Sequence, residues 1–239
     1  MKNKEKTLGI VGLGYVGLPL AMEFVRSGYR TIGFDIDEKK VRLLSEGKTY
    51  LKHIGEDRVK KMTDSKLFEA TTDFSLIKEV DAISICVPTP LDEHLMPDLS
   101  FVLDSTGVIG ENMKKEALVI LESTTYPGTT REEILPILEK GNRVLDRDFY
   151  LAFSPEREDP GNKKYNTRNI PKVVGGVSEE STERAVKLYE TIFDSVVSVS
   201  SAEVAEATKL LENTYRSINI ALVNELKMIF DRMDVNIWE

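Results

Sequence analysis

An α/β fold is predicted for this chain: a doubly wound, mostly parallel sheet covered by helices on both faces and followed by one long helix. Three observations predict it. Short apolar runs alternate with longer helical stretches along most of the sequence, the pattern of strand–helix–strand units. A glycine-rich turn, Gly12-Leu13-Gly14-Tyr15-Val16-Gly17, joins the first apolar run to the first helical stretch. Finally, from Ser200 to about Met233 the chain contains no Gly or Pro, so nothing breaks a helix there.

The elements follow in order. Residues 7–11 form a buried-strand candidate, followed by a helix over 15–27 that Gly28 ends. Pro19 suits that helix only in its first turn, where the missing N–H costs little. A strand over 30–35 and a helix starting at Asp37 come next. Further strands are predicted over 81–87, 117–122, 149–153, 172–176 and 196–199, with helices over 99–113, 130–138 and 179–192. Residues 47–66 are polar and ambiguous, read as loop plus a short helix. Ser200-x-x-Glu203 has the form of a capping box opening the last helix. At about 100° per residue, Val204, Leu211, Ile218, Leu222 and Ile229 share a stripe, and Lys209, Asn213 and Arg216 cluster opposite it. The stripe reads as core or dimer contact. The chain therefore divides into a nucleotide-binding unit over residues 1–200 and a long central helix over 201–239.

Composition bounds the function. A chain of 239 residues with 41% hydrophobic and 30% charged content is ordinary for a globular protein with a real core. The formal charge of −8 argues against a nucleic-acid partner. No apolar run is long enough to cross a bilayer, so no membrane partner is expected. The basic opening MKNKEK leads into a stretch broken by Gly9, Gly12, Gly14 and Gly17, a strand and turn rather than a signal peptide. A single cysteine gives no disulfide framework and makes a reducing, cytoplasmic setting the default.

The glycine turn carries the first chemistry. It matches G-x-G-x-x-G in the required context, after a strand and at a helix start, and acidic Asp35 ends the second strand. Gly12 permits the tight turn, Gly14 lets backbone N–H groups approach a pyrophosphate, and Gly17 permits close helix–strand packing. The helix N-terminus adds partial positive charge. Asp35 can accept from a ribose diol and would repel a 2′-phosphate, so the cofactor is NAD rather than NADP. Other residues read more plainly. Cys86 is a small buried strand residue. His53 and His94 are surface residues, and no metal site is expected.

Four further segments narrow the chemistry: Cys86-Val87-Pro88-Thr89-Pro90, Glu122-Ser123-Thr124-Thr125-Tyr126-Pro127-Gly128-Thr129, Ser154-Pro155-Glu156-Arg157-Glu158-Asp159-Pro160-Gly161-Asn162, and Lys209-Leu210-Leu211-Glu212-Asn213-Thr214-Tyr215-Arg216. With the glycine turn, in this order and spacing, they resemble the UDP-glucose/GDP-mannose dehydrogenase family over essentially the whole chain. The Pro-Glu-Arg-Glu-Asp-Pro-Gly loop resembles the UDP-N-acetylhexosamine 6-dehydrogenases, UDP-N-acetylglucosamine 6-dehydrogenase among them, more than the UDP-glucose enzymes. The resemblance implies a Rossmann-type cofactor domain and NAD-dependent oxidation of the C6 alcohol of a UDP-sugar to the uronic acid. That reaction takes two hydride transfers and passes through a cysteine thioester, and it implies a place in polysaccharide biosynthesis.

It also implies roles by position. Glu156 is the general acid/base, and Thr124 positions water or cofactor. Lys209 and Asn213 stabilise an oxyanion, with Lys209 also placed for proton transfer. Arg157, Glu158 and Arg216 contact substrate together with Lys209 and Asn213. Leu13, Tyr15, Val16, Lys40, Val87, Pro88, Thr89, Ser123 and Thr124 contact the cofactor. Independently of the resemblance, Lys209 and Asn213 form an i, i+4 pair able to face one cleft. The family's nucleophilic cysteine, in a Gly-rich segment beyond the central helix, has no counterpart here. Nor does its UDP-binding domain. The chain is therefore expected to be a truncated portion, inactive alone, and a homodimer through the long helix. Two other readings stand beside this one: a β-hydroxyacid-type dehydrogenase, which would not need the Ser-Pro-Glu loop, and a non-catalytic NAD-binding remnant.

Overall fold

The computed structural model describes residues 6–94, 96–156 and 170–239. The chain order is β1 (Thr7–Val11), α1 (Gly17–Arg26), β2 (Arg30–Phe34), α2 (Glu38–Ser45), α3 (Glu56–Asp64), β3 (Phe68–Thr71), a 3-10 turn (Phe74–Glu79) and β4 (Ala82–Ile85). It continues with α4 (Ser100–Asn112), β5 (Ala117–Leu121), a π turn (Thr130–Ile134), α5 (Leu135–Leu138), β6 (Phe149–Phe153), β7 (Lys172–Gly176), α6 (Glu179–Tyr189), β8 (Val196–Ser198) and α7 (Ala202–Arg232).

The strands form one sheet in the order β3-β2-β1-β4-β5-β6-β7-β8. The first six pair in parallel, β7 runs antiparallel to β6, and β8 runs parallel to β7. The order of those six strands is that of a Rossmann fold, in which ligands sit beyond the carboxyl ends of the strands where the winding reverses. The fold is the doubly wound, mostly parallel one predicted. β1 and β5 are buried along their whole length, as strands covered on both faces must be. Two core clusters lie on opposite faces of the sheet: one around Leu8, Ile10, Phe24 and Tyr189, the other around Val11, Phe34, Val119 and Phe153.

Most differences from the predicted elements are local. The strand β3 was not anticipated, since Phe68-Glu69-Ala70-Thr71 shows only one buried residue and so no apolar alternation. The helix expected over 130–138 is a π turn and a single α turn with a proline in its first turn; Pro136 cannot donate to a continuous ladder. The last helix is capped one residue later than the capping box implied. Ser201, in extended conformation, accepts from Val204 N–H, and Glu203 instead pairs with Arg131 at 2.5 Å.

The apolar stripe of α7 is not core in this chain. Only Ala202, Ala205 and Glu206 of that helix are buried, where its first turns pack on β6, β7 and the π turn. Leu211, Ile218 and Leu222 are 70%, 61% and 55% exposed, more apolar surface than a solvated helix face normally carries. No helix among the described residues is long and apolar enough to cross a membrane.

Candidate functional site

The glycine turn follows β1 and behaves as its sequence implies. Gly12 has φ +91°, and a Cβ there would lie 2.8 Å from the Cys86 carbonyl oxygen. A Cβ at Gly17 would fall 1.9 Å from the Gly12 carbonyl oxygen, so helix α1 can approach β1 only with glycine there. Gly14 differs: a Cβ would meet nothing within 4 Å. Among the described residues none accepts a hydrogen bond from the N–H groups of Gly14, Tyr15 or Val16. Open backbone donors at a helix N-terminus fit an anionic pyrophosphate.

Asp35, just beyond β2, is 5% exposed. Its carboxylate accepts from Leu13 N–H at 2.9 Å, from Asp37 N–H at 3.0 Å and from Lys40 Nζ at 3.0 and 3.3 Å. Two oxygens offer about four acceptor positions, so a ribose diol would take the place of Lys40. That ammonium sits on α2 with a side chain 34% exposed and can leave. Asp35 and Lys40 thus meet at one point.

Across the mouth of the sheet, the ends of β4 and β5 are tied together. Ser123 Oγ donates to Val87 O at 2.7 Å, and Thr89 Oγ1 donates to Thr124 O at 2.8 Å. Val87, Pro88, Thr89, Ser123 and Thr124 therefore share one rim, with Pro88 and Thr124 on its exposed side. Lys209 of α7 donates to the backbone carbonyl of Glu156, 53 residues away in sequence. Burial pushes the Lys209 ammonium below its ordinary pKa, and the Glu156 carboxylate opposes that shift. One turn later Asn213 accepts from Arg216 at 3.3 Å. Lys209 thus meets Glu156, while Asn213 and Arg216 pair with each other on the following turns of α7. Arg157 and Glu158 lie outside the described residues.

Beneath this rim lies a cluster that the motif reading passed over. Lys172, the first residue of β7, pairs with Glu122, which also accepts from Tyr189 Oη. Lys172 Nζ donates as well to Pro155 O at 3.2 Å and lies 5.3 and 5.6 Å from the centroids of the Tyr189 and Phe193 rings. Two lysines therefore hold consecutive carbonyls of the Ser-Pro-Glu segment, Lys172 at Pro155 and Lys209 at Glu156. Burial raises the Glu122 carboxyl, with Lys172 opposing, and keeps the Cys86 thiol protonated well above its ordinary range. In the sequence Glu122 only opens a motif segment and Lys172 only opens an apolar strand, where it reads as an edge charge until β7 is known to be covered. Among the described residues no His, Cys, Asp and Glu group could hold a metal ion.

Comparison with known proteins bears on the same residues. The profile of the NAD binding domain of the UDP-glucose/GDP-mannose dehydrogenase family matches residues 6–193, and that of the family's central domain matches residues 203–239. The chain is 40% identical over 238 residues to Protein CapL of Staphylococcus aureus, covering 97% of this chain and 54% of that protein. It is 39% identical over 236 residues to UDP-N-acetyl-D-glucosamine 6-dehydrogenase of Pseudomonas aeruginosa, covering 98% and 55%. The solved structure of a UDP-D-ManNAc dehydrogenase from Pyrococcus horikoshii superposes with a TM-score of 0.90 at 35% identity, covering 97% of this chain and 56% of that one. The chain thus spans about half the length of the relatives it matches. It belongs to the UDP-glucose/GDP-mannose dehydrogenase family and carries that family's NAD-binding domain.

Proposed function

We propose that this chain supplies the cofactor half and one wall of the active site for NAD-dependent oxidation of the C6 alcohol of a UDP-N-acetylhexosamine. The reaction class is supported by relatives named as UDP-N-acetyl-D-glucosamine and UDP-N-acetyl-D-mannosamine dehydrogenases. The observation that carries the site is Lys209 of α7 reaching Glu156 at the rim that also holds Thr124 and Thr89. In this reading residues 1–200 are the cofactor unit and 201–239 the start of the element that joins it to substrate, and the stripe on α7 pairs with a second copy.

The bound dinucleotide supplies the hydride acceptor. The chain's own residues do the rest. Asp35 and the Gly14–Val16 N–H groups hold the ribose and pyrophosphate, and Thr89 and Thr124 line the approach to the sugar carbon. Lys209, its pKa lowered by burial, takes the C6 hydroxyl proton or stabilises the developing alkoxide. Asn213 adds a neutral donor. Glu156 would transfer protons in hydrolysis of a thioester whose thiol is not Cys86. Cys86 takes no covalent part: it is 6% exposed and its thiol is held protonated.

The test is NADH formation with UDP-N-acetylglucosamine, UDP-N-acetylmannosamine and UDP-glucose by this chain alone and by this chain joined to the C-terminal half of the Pseudomonas aeruginosa relative, each beside a Lys209→Ala variant. NAD binding without turnover is expected of the chain alone, and turnover with an N-acetylated sugar that falls at least a hundredfold in the variant is expected of the joined protein. A joined protein that binds NAD but forms no NADH from any UDP-sugar would sink the proposal.

A further inference from the structure

We infer that Tyr50 is a positioning residue for the cofactor's pyrophosphate, acting through the Leu13–Gly14 peptide. The inference rests on the assignment of NAD to this site and extends it to a segment, residues 49–54, that carries no dinucleotide-binding motif.

The segment is built to be held in place. Leu51 and Ile54 are 5% and 3% exposed and belong to the same core cluster as Leu13 and Leu18. Between these anchors the backbone turns, with Ile54 N–H donating to Leu51 O and Leu51 N–H to Thr49 Oγ1, both at 3.0 Å. The two residues beside the anchors, Tyr50 and His53, meet the glycine turn at two points. Tyr50 Oη donates to the Leu13 carbonyl. The His53 ring stacks on Tyr15, with centroids 5.3 Å apart and planes 11° from parallel.

Leu13 is consequently fixed from both sides. Its N–H is held by Asp35 and its C=O by Tyr50. In a trans peptide the C=O of one residue and the N–H of the next point in opposite directions. Holding the Leu13 carbonyl toward Tyr50 turns the Gly14 N–H away from it, and none of the described residues accepts from that N–H. That N–H is one of the donors a pyrophosphate would take. Burial, with the Asp35 and Asp37 carboxylates nearby, pushes the Tyr50 phenol well above its ordinary pKa, so it is a neutral donor at neutral pH. Without the hydroxyl the peptide could rock, and the phosphates would meet a donor not yet oriented.

The experiment compares wild type with Tyr50→Phe, which keeps the ring and its packing, in titrations with NAD, ADP and adenosine. Adenosine probes the Asp35 side alone, whereas ADP and NAD add the phosphates. The expected result is a fivefold to tenfold weaker affinity (about one net hydrogen bond) for NAD and ADP, with adenosine unchanged. Equal affinity for all three ligands in both proteins overturns the inference, and so does a parallel loss for adenosine, which marks a general loosening of the fold. A wild-type protein that binds no NAD at all overturns the cofactor assignment itself.

Discussion

Lys172 and Glu122 form an ion pair closed to solvent, their side chains 4% and 0% exposed. Such a pair contributes little net stability when intact, because desolvating both charges offsets their attraction, but removing one partner strands the other. Lys172→Met is therefore expected to lower unfolding free energy by about 3–5 kcal/mol. Glu122→Gln combined with Lys172→Met should cost clearly less than the sum of the single changes. Urea unfolding of the four proteins measures this, and strict additivity would rule out the coupling.

A second prediction concerns cofactor choice. The Asp35 carboxylate binds Lys40 and two backbone N–H groups, and it is the negative charge that would meet a 2′-phosphate. Asp35→Ala should weaken NAD binding about tenfold and raise the NADP-to-NAD affinity ratio by at least as much, since Lys40 is then released to pair with the phosphate. Calorimetric titration with both dinucleotides decides it. An unchanged ratio would mean that the ribose lies elsewhere.

Where sequence and structure agree, and where they part, follows from how local the determinants are. The glycine turn, Asp35 and the strands Phe149–Phe153 and Lys172–Gly176 were legible because their signals lie within a few residues: a spacing of glycines, or an unbroken apolar run. Tyr50 and His53 were not. They sit in a polar stretch without periodicity, and their meaning comes only from the turn that Leu51 and Ile54 anchor against the glycine loop. His53, read as a plain surface residue, is exposed yet stacked on Tyr15. The capping residue of α7 is one position later than expected because two serines adjoin, and Glu203 is shared between Ser201 and Arg131, which is distant in sequence. The stripe on α7 was correctly seen as apolar, but a helical period cannot say what covers it.

Acid sensitivity should be traceable to Glu203. Burial works against its ionisation, but hydrogen bonds from Ser201 and Arg131 outweigh that and hold its carboxyl at about 2. A depressed carboxylate contributes stability above its unfolded pKa, near 4.3, and loses it as pH falls toward the folded value. The side chains of Arg131 and Glu203 are 45% and 32% exposed, so solvent screening reduces the contribution to about 1 kcal/mol. Glu203→Gln should accordingly flatten the fall in stability between about pH 4.5 and pH 2 while lowering stability at neutral pH by a similar amount. A variant with the same slope as wild type across that window would show that other carboxylates carry it.

The last prediction concerns how the long helix is fixed to the sheet. Glu206, 0% exposed, accepts from Gly128 N–H at 2.6 Å, from Thr130 N–H at 2.9 Å and from Thr130 Oγ1 at 2.6 Å. It thereby caps the π turn with a side chain from α7, one helical turn before Lys209. Removing it would leave three buried donors unsatisfied, so Glu206→Ala should cost about 2–4 kcal/mol. Glu206→Gln, which keeps one carbonyl acceptor but sets an amide against N–H donors, should fall between the two. The geometric consequence separates this anchor from an ordinary core contact. If Glu206 sets the height of α7 above the rim, hydrogen exchange in Glu206→Ala should accelerate at residues 128–130 and around Lys209, with β1 and β2 as protected as in wild type. Acceleration spread evenly over the sheet would assign Glu206 to global stability and leave Lys209 to be placed by its own contact with Glu156.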